Sequence, residues 1–94
     1  MYFLLFYDVV DDYVNQRAPF RKDHLQLARE AEARGDLLLG GAFDDPADGA
    51  ALVFRGGDRS IVEDFVKKDP YVQNGLVKKW RIRDWKVVVG ALFS

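Results

Sequence analysis

The stretch Tyr2-Phe3-Leu4-Leu5-Phe6-Tyr7-Asp8-Val9-Val10, closed by the acidic pair Asp11 and Asp12, decides how the rest of the chain is read. Aromatic and β-branched residues bounded by turn formers make a strand. Successive strand side chains point to opposite faces, so Tyr2, Leu4 and Phe6 share one side while Phe3, Leu5 and Tyr7 share the other. A sheet built on this strand is therefore apolar on both faces, and each face needs a cover. Leaving three large side chains in water forfeits roughly 1.5 to 3 kcal/mol apiece relative to burial.

Outward from that strand the period changes. Gln16 to Arg34 carries Phe20, His24, Leu27, Ala28 and Ala31 at spacings of three and four, which predicts a helix with Pro19 in its first turn. Arg34-Gly35 supplies a basic last turn and a glycine stop. Leu37 to Phe43 and Ala50 to Phe54 are two further strands, and the turn-rich segment Asp44 to Gly49 makes them an antiparallel hairpin. Asp58 or Ser60 caps a second helix, with Ile61, Val62, Phe65 and Val66 as its buried stripe; Ser60 with Glu63 fits a capping box, and Asp58 gives the longer helix. Lys67-Lys68 ends it, because the residue before Pro70 is pushed out of helical geometry. Tyr71 to Gly75 is one short turn. Leu76 to Leu92 then reads as a long closing strand, in which Trp80 and Ile82 have one parity and Trp85, Val87 and Val89 the other, so a bulge is expected near Arg83 or Asp84.

The element order is β-α-β-β-α-β, a ferredoxin-like α+β subunit with a four-stranded antiparallel sheet covered on one face by two helices. A second copy laid sheet to sheet over the other face is the economical cover, which predicts an isologous homodimer enclosing a cavity. An ordinary, partly exposed aromatic face is the alternative. The 94 residues fit one domain spanning 1–94, without internal repeat or linker. Hydrophobic residues make up 49% of the chain, which excludes disorder. A net charge of -1 provides no overall field for nucleic acid or anionic lipid. With no cysteine, disulfide frameworks, thiolate nucleophiles and Cys-based metal sites are excluded. The longest apolar run, Met1 to Tyr7, is too short for a membrane span, and cytoplasmic location is the expectation.

His24 is the one histidine, so a neutral-pH base without a shifted carboxylate or lysine must be this residue. Its place on the apolar stripe also suits a core histidine satisfied by backbone or carboxylate. Arg17, Arg21 and His24, at i, i+4 and i+7, line one helix edge near an N-terminus that favours anions, although both arginines also suit a plain solvated surface. Asp69, fixed before Pro70, either accepts the N–H groups of its own turn or orients the imidazole of His24 as the third group of a catalytic relay does. Asp36 competes for that role but more simply starts the second strand. Tyr71 offers a phenol to a ligand or to the core. Gly40-Gly41 suits either close approach of a substrate or a strand bulge. No phosphate-loop spacing occurs, and one histidine with scattered carboxylates is a poor metal set, so neither cofactor nor metal is expected. Basic residues interleave with Trp80 and Trp85, but the third strand lacks the stacking aromatics of an RNA-binding sheet, and nucleic acid is not the expected partner.

Taken together, Arg17-x-x-x-Arg21-x-x-His24-Leu25, Gly35 followed by Leu37-Leu38 and Gly41, and Asp69-Pro70-Tyr71-Val72 with Gly75 resemble the YCII-related (YciI-like) family over nearly the whole chain. That resemblance implies a dimeric α+β barrel of ferredoxin-like subunits, bacterial and cytosolic, with a histidine–aspartate active site. By motif position the site would be His24 and Asp69, with Arg17, Arg21 and Tyr71 nearby to bind substrate. Some relatives are linked with elimination of chloride from chlorinated hydroxyquinones, which implies proton-transfer chemistry. The expectation from the residues is a cofactor-independent enzyme of the lyase or isomerase kind acting on a small anionic or phenolic molecule, and the competing expectation is a noncatalytic ligand-binding or scaffold dimer. Two departures stand out: Ala42 follows the second-strand glycine where relatives often carry proline, and the hairpin tip from Asp44 to Gly49 is short.

Overall fold

A computed structural model of the protein describes residues 1–91. The strand β1 (Tyr2–Val9) leads into a one-turn helix α1 (Tyr13–Gln16), a 3-10 turn (Ala18–Phe20) and the helix α2 (Arg21–Ala33). The hairpin of β2 (Leu37–Ala42) and β3 (Gly49–Arg55) follows, then α3 (Ser60–Lys68), the short α4 (Pro70–Gln73) and β4 (Val77–Trp85). All four strands pair antiparallel in the order β2-β3-β1-β4, the ferredoxin-like arrangement.

The central position of β1 follows from its two apolar faces. Phe3, Leu5, Tyr7 and Val9 are buried under the helices with Leu52, Phe54, Val62, Phe65 and Val66. Tyr2, Leu4 and Phe6 point to the opposite face, where they are half-buried. Cross-strand pairing sets Val53 and Arg83 beside Leu4, and Ala51 and Arg81 beside Phe6. The Arg81 guanidinium lies 4.9 Å from the Phe6 ring centre, a cation–π contact at the sheet surface.

Three local expectations need correction. The first helix does not run unbroken from Gln16 to Arg34: the chain is helical at Tyr13–Gln16, passes through the 3-10 turn that holds Pro19, and re-enters a helix at Arg21. Proline has no N–H to give and its ring crowds the carbonyl four residues back, so a continuous helix fails there. The Ser60–Glu63 capping box does not form; the Asp58 carboxylate accepts the Ser60 N–H instead, at 2.6 Å. Finally, β4 ends at Trp85, because Trp85 pairs with Tyr2 and the partner strand begins there. The one register shift of this pair lies at Asp8/Val9, opposite Val77 and Lys79, rather than near Arg83 or Asp84. No bulge is needed at Arg83, since Ile82 faces the helices opposite Leu5 while Trp85 falls on the other apolar face opposite Tyr2. Leu92, the expected end of that strand, lies outside the described residues.

Gly35 ends α2 as its sequence position implies, with a φ of 84° that a side chain rarely adopts. Among the described residues no helix is long and apolar enough to cross a membrane.

Candidate active site

Pro70 is where the site begins. It holds Asp69 in extended geometry, with φ -71° and ψ 117°, so α3 stops at Lys68 and the Asp69 side chain turns back over the next four residues. Its Oδ1 accepts the backbone N–H of Tyr71 at 3.0 Å and so caps α4. The same oxygen lies 2.8 Å from Nδ1 of His24, which α2 brings across from the first half of the chain. Oδ2 accepts the hydroxyl of Tyr7 at 2.8 Å. Asp69 is 0% exposed and the His24 side chain 15% exposed.

A carboxylate only accepts, and Asp69 already accepts from Tyr7 and from the Tyr71 backbone, so the nitrogen facing it is the donor. His24 thereby presents Nδ1–H to Asp69, and in the neutral ring the lone pair then lies on Nε2. That arrangement fixes the tautomer and aims the ring, as a base-orienting carboxylate does. The imidazole is further held by Tyr71, whose ring stacks on it with centroids 3.8 Å apart and planes 10° from parallel. Tyr13 meets Tyr71 edge-on at 5.6 Å, and Arg17 lies over Tyr13 with its guanidinium carbon 5.1 Å from the ring centre.

These groups form one wall of a cleft of about 350 Å³ between α2, Tyr71 and the β2–β3 edge. Arg17, Arg21, His24 and Tyr71 line it together with Tyr7 and Tyr13. The opposite wall is Leu37 to Ala42, including Gly40 and Gly41. A side chain at Gly40 would press on Leu52 at 3.2 Å, whereas one at Gly41 would meet nothing within 4 Å. Arg17, Arg21 and His24 do not share one continuous helix as their spacing implied; the 3-10 turn intervenes, yet all three line the cleft. Asp36 is not part of the site: its carboxylate pairs with Arg34 at 3.1 Å. Among the described residues no group of three or more potential ligands could hold a metal.

The phenols carry the electrostatic signature. Burial, reinforced by the Asp69 charge and the hydrogen bond to it, pushes the Tyr7 hydroxyl far above the ordinary phenol range. Burial also raises Tyr13, against the opposing pull of Arg17. Tyr71 is raised by burial as well, with Arg21 and then Arg17 drawing it back down. Its hydroxyl is buried and meets no partner in hydrogen-bond geometry among the described residues. Tyr7 and Tyr13 are the site residues that sequence reasoning missed. A phenol at a buried strand position reads as packing, and Tyr7 finds its acceptor 62 residues away, so no local signal announces it.

Solved structures of the same fold include 5-chloro-2-hydroxyhydroquinone dehydrochlorinase (TftG) from Burkholderia phenoliruptrix AC1100, in complex with 2,5-dihydroxybenzoquinone. It matches at 22% identity with a TM-score of 0.77, covering 92% of this chain and 94% of that one. The structured domain of Caenorhabditis elegans BMY-1 matches with a TM-score of 0.53 at 19% identity, covering 95% of this chain and 100% of that one. An antibiotic biosynthesis monooxygenase matches with a TM-score of 0.54 at 12% identity over the same shares. At these identities the likeness establishes the fold. No curated protein sequence matches the chain. The model of the YCII-related domain matches residues 1–86, nearly the whole chain, and the protein therefore belongs to the YCII-related family.

Proposed function

We propose that this protein is a small cofactor-independent enzyme of the lyase or isomerase kind. It acts on a small anionic or phenolic molecule, with His24 as general base and acid, Asp69 as its orienting partner, and Arg17, Arg21 and Tyr71 as the substrate-binding groups. The observation that carries the reading is the 2.8 Å contact between His24 Nδ1 and a fully buried Asp69 at the wall of a cleft large enough for such a molecule. A positioned base of this type contributes roughly a hundredfold to ten-thousandfold to rate. The dehydrochlorinase activity of TftG, with which the fold is shared, favours proton removal coupled to loss of a leaving group. We further propose a homodimer formed through the sheet face that carries Tyr2, Leu4 and Phe6, and action in the cytoplasm.

Halide release from chlorinated hydroxyquinols, and deuterium uptake by enolisable small acids, test the proposal. His24→Asn is expected to lower turnover at least about a hundredfold. Its melting temperature should hold within a few degrees, because the asparagine amide still offers a donor toward Asp69. Intact turnover in a variant that has lost stability would overturn the assignment.

One observation favours a second reading. Asp69 also caps α4, which a purely structural polar pair would do equally well. In that case the protein is a noncatalytic ligand-binding or scaffold dimer, and a thermal-shift screen with small aromatic acids would give binding without turnover.

A further inference from the structure

Arg17, Arg21 and Tyr71 bring hydrogen-bond donors to the cleft. The Tyr71 hydroxyl is buried and makes no hydrogen bond of good geometry, although the Arg21 guanidinium approaches it, and among the described residues no carboxylate accepts from Arg17 or Arg21. Guanidinium groups have hydrogens to give and no lone pair to offer. A buried polar atom left unpaired costs about 1 to 3 kcal/mol, so its persistence in an otherwise well-paired core calls for a reason. Position supplies one. The phenol ring stacks on the imidazole with centroids 3.8 Å apart, and both residues line the same cleft. Arg21 is exposed and is the guanidinium whose charge acts most on that hydroxyl.

We infer that Tyr71 is a catalytic hydrogen-bond donor: with Arg21 it forms the seat for a substrate oxygen that becomes negatively charged as His24 removes a proton from a neighbouring carbon. This rests on the acid/base reading of His24 and narrows it. The substrate class becomes a carbonyl compound, the keto tautomer of a hydroxyquinol included, with an acidic C–H on the saturated carbon next to the carbonyl. In the step, Nε2 of His24 takes the proton. The C–H electron pair becomes a carbon–carbon π bond, and the carbonyl π pair moves to oxygen, where the Tyr71 O–H and the Arg21 N–H hold it. When that pair returns, the carbonyl re-forms. The carbon–carbon pair then either expels an anionic leaving group from the adjacent carbon, whose proton equivalent leaves later from His24, or shifts toward a conjugated neighbouring double bond, whose own pair takes the proton back at its far carbon. Both routes balance without an oxidant or reductant. A phenol whose own ionisation is suppressed by burial stays protonated as the oxyanion forms, which a donor in this role requires.

The test uses para-nitrophenol, whose absorbance distinguishes phenol from phenolate, with para-nitroanisole as the same ring lacking an ionisable oxygen. The wild-type protein should bind the phenolate at least about tenfold more tightly than the anisole, and binding should lower the probe's apparent pKa. Tyr71→Phe keeps the ring stack and removes the orphaned hydroxyl. It should lose roughly tenfold to a hundredfold of phenolate affinity, leave anisole affinity unchanged, and melt no lower than wild type. Arg21→Gln should lose part of the same preference. His24→Asn should keep it, because the oxygen seat does not include the imidazole. Absence of phenolate preference in wild type, its retention in Tyr71→Phe, or a fall in the melting temperature of Tyr71→Phe would each overturn the oxygen seat. Unchanged halide release in His24→Asn would instead defeat the general-base assignment and leave the seat standing, so the two failures are distinguishable.

Discussion

Asp69 collects its partners from three parts of the chain: the imidazole of His24, the phenol of Tyr7 and the backbone of Tyr71. Removing the Tyr7 hydroxyl leaves Oδ2 buried without a donor. Tyr7→Phe should therefore destabilise the protein by about 1 to 3 kcal/mol in urea unfolding. It should also loosen the imidazole, lowering turnover while a phenolate ligand still binds. The same phenol makes stability depend on alkaline pH. Its pKa in the folded state is raised above its value in the unfolded chain, so its contribution is fully present below about 10, the unfolded value, and is lost as pH rises beyond it, because only the unfolded chain then releases the proton. Tyr13 and Tyr71 act in the same direction. Unfolding free energy measured against pH should fall above about 10, and Tyr7→Phe should fall less steeply; an identical slope in the variant would mean that the phenol ionises freely in the fold. His24 and Asp69 are legible in sequence because one is the single histidine and the other is pinned by a proline. Tyr7 is not, since its acceptor becomes visible only once β1 and α4 are folded together.

At the scale of elements, the strands and the two main helices follow from periodicity, and the breaks follow from proline and glycine. Pro19 interrupts and Pro70 terminates, both through the missing donor and the ring clash. The extent of β4 was illegible for a different reason: a strand stops where its partner stops, and the end of β1 at Tyr2 is not written in the composition of β4. Glycines in strands divide in the same way. Gly49 opens β3 opposite Asp8, and a side chain there would lie 2.6 Å from the carbonyl oxygen of Tyr7. Backbone cannot yield as a side-chain tip can, so Gly49→Ala should destabilise by about 1 to 3 kcal/mol and disturb the residue that holds Asp69. Gly41→Ala meets no atom within 4 Å and should leave stability within about 0.5 kcal/mol of wild type. Because Gly41 lines the cleft, its added methyl is expected to weaken ligand binding instead. Equal denaturation midpoints for the two variants would show that the approach of β3 to β1 is not the constraint.

For the molecule as a whole, the two faces of the sheet carry different tasks. One holds the core and the cleft; the other carries half-buried Leu4, Phe6 and Val53 among Arg81, Arg83 and the exposed Trp85. An apolar stripe rimmed by guanidinium groups has the make-up of an interface, with an apolar centre, aromatic and arginine enrichment and a charged border. A stable pairing buries about 800 Å² on each partner, an area that one face of a four-stranded sheet can supply. In the proposed homodimer Phe6 lies at the centre of that face, on β1 between β3 and β4. Phe6→Asp places a charge where the partner would have to desolvate it, and it touches nothing in the helical core because its neighbours Leu5 and Tyr7 point the other way. Light-scattering mass should fall from that of two chains to that of one, with the circular dichroism of the fold retained. Phe6 does not line the cleft, so the variant should keep its affinity for phenolate probes. A mass unchanged by Phe6→Asp would place the contact between copies elsewhere. A one-chain mass with ligand affinity lost would instead mean that the second copy completes the site.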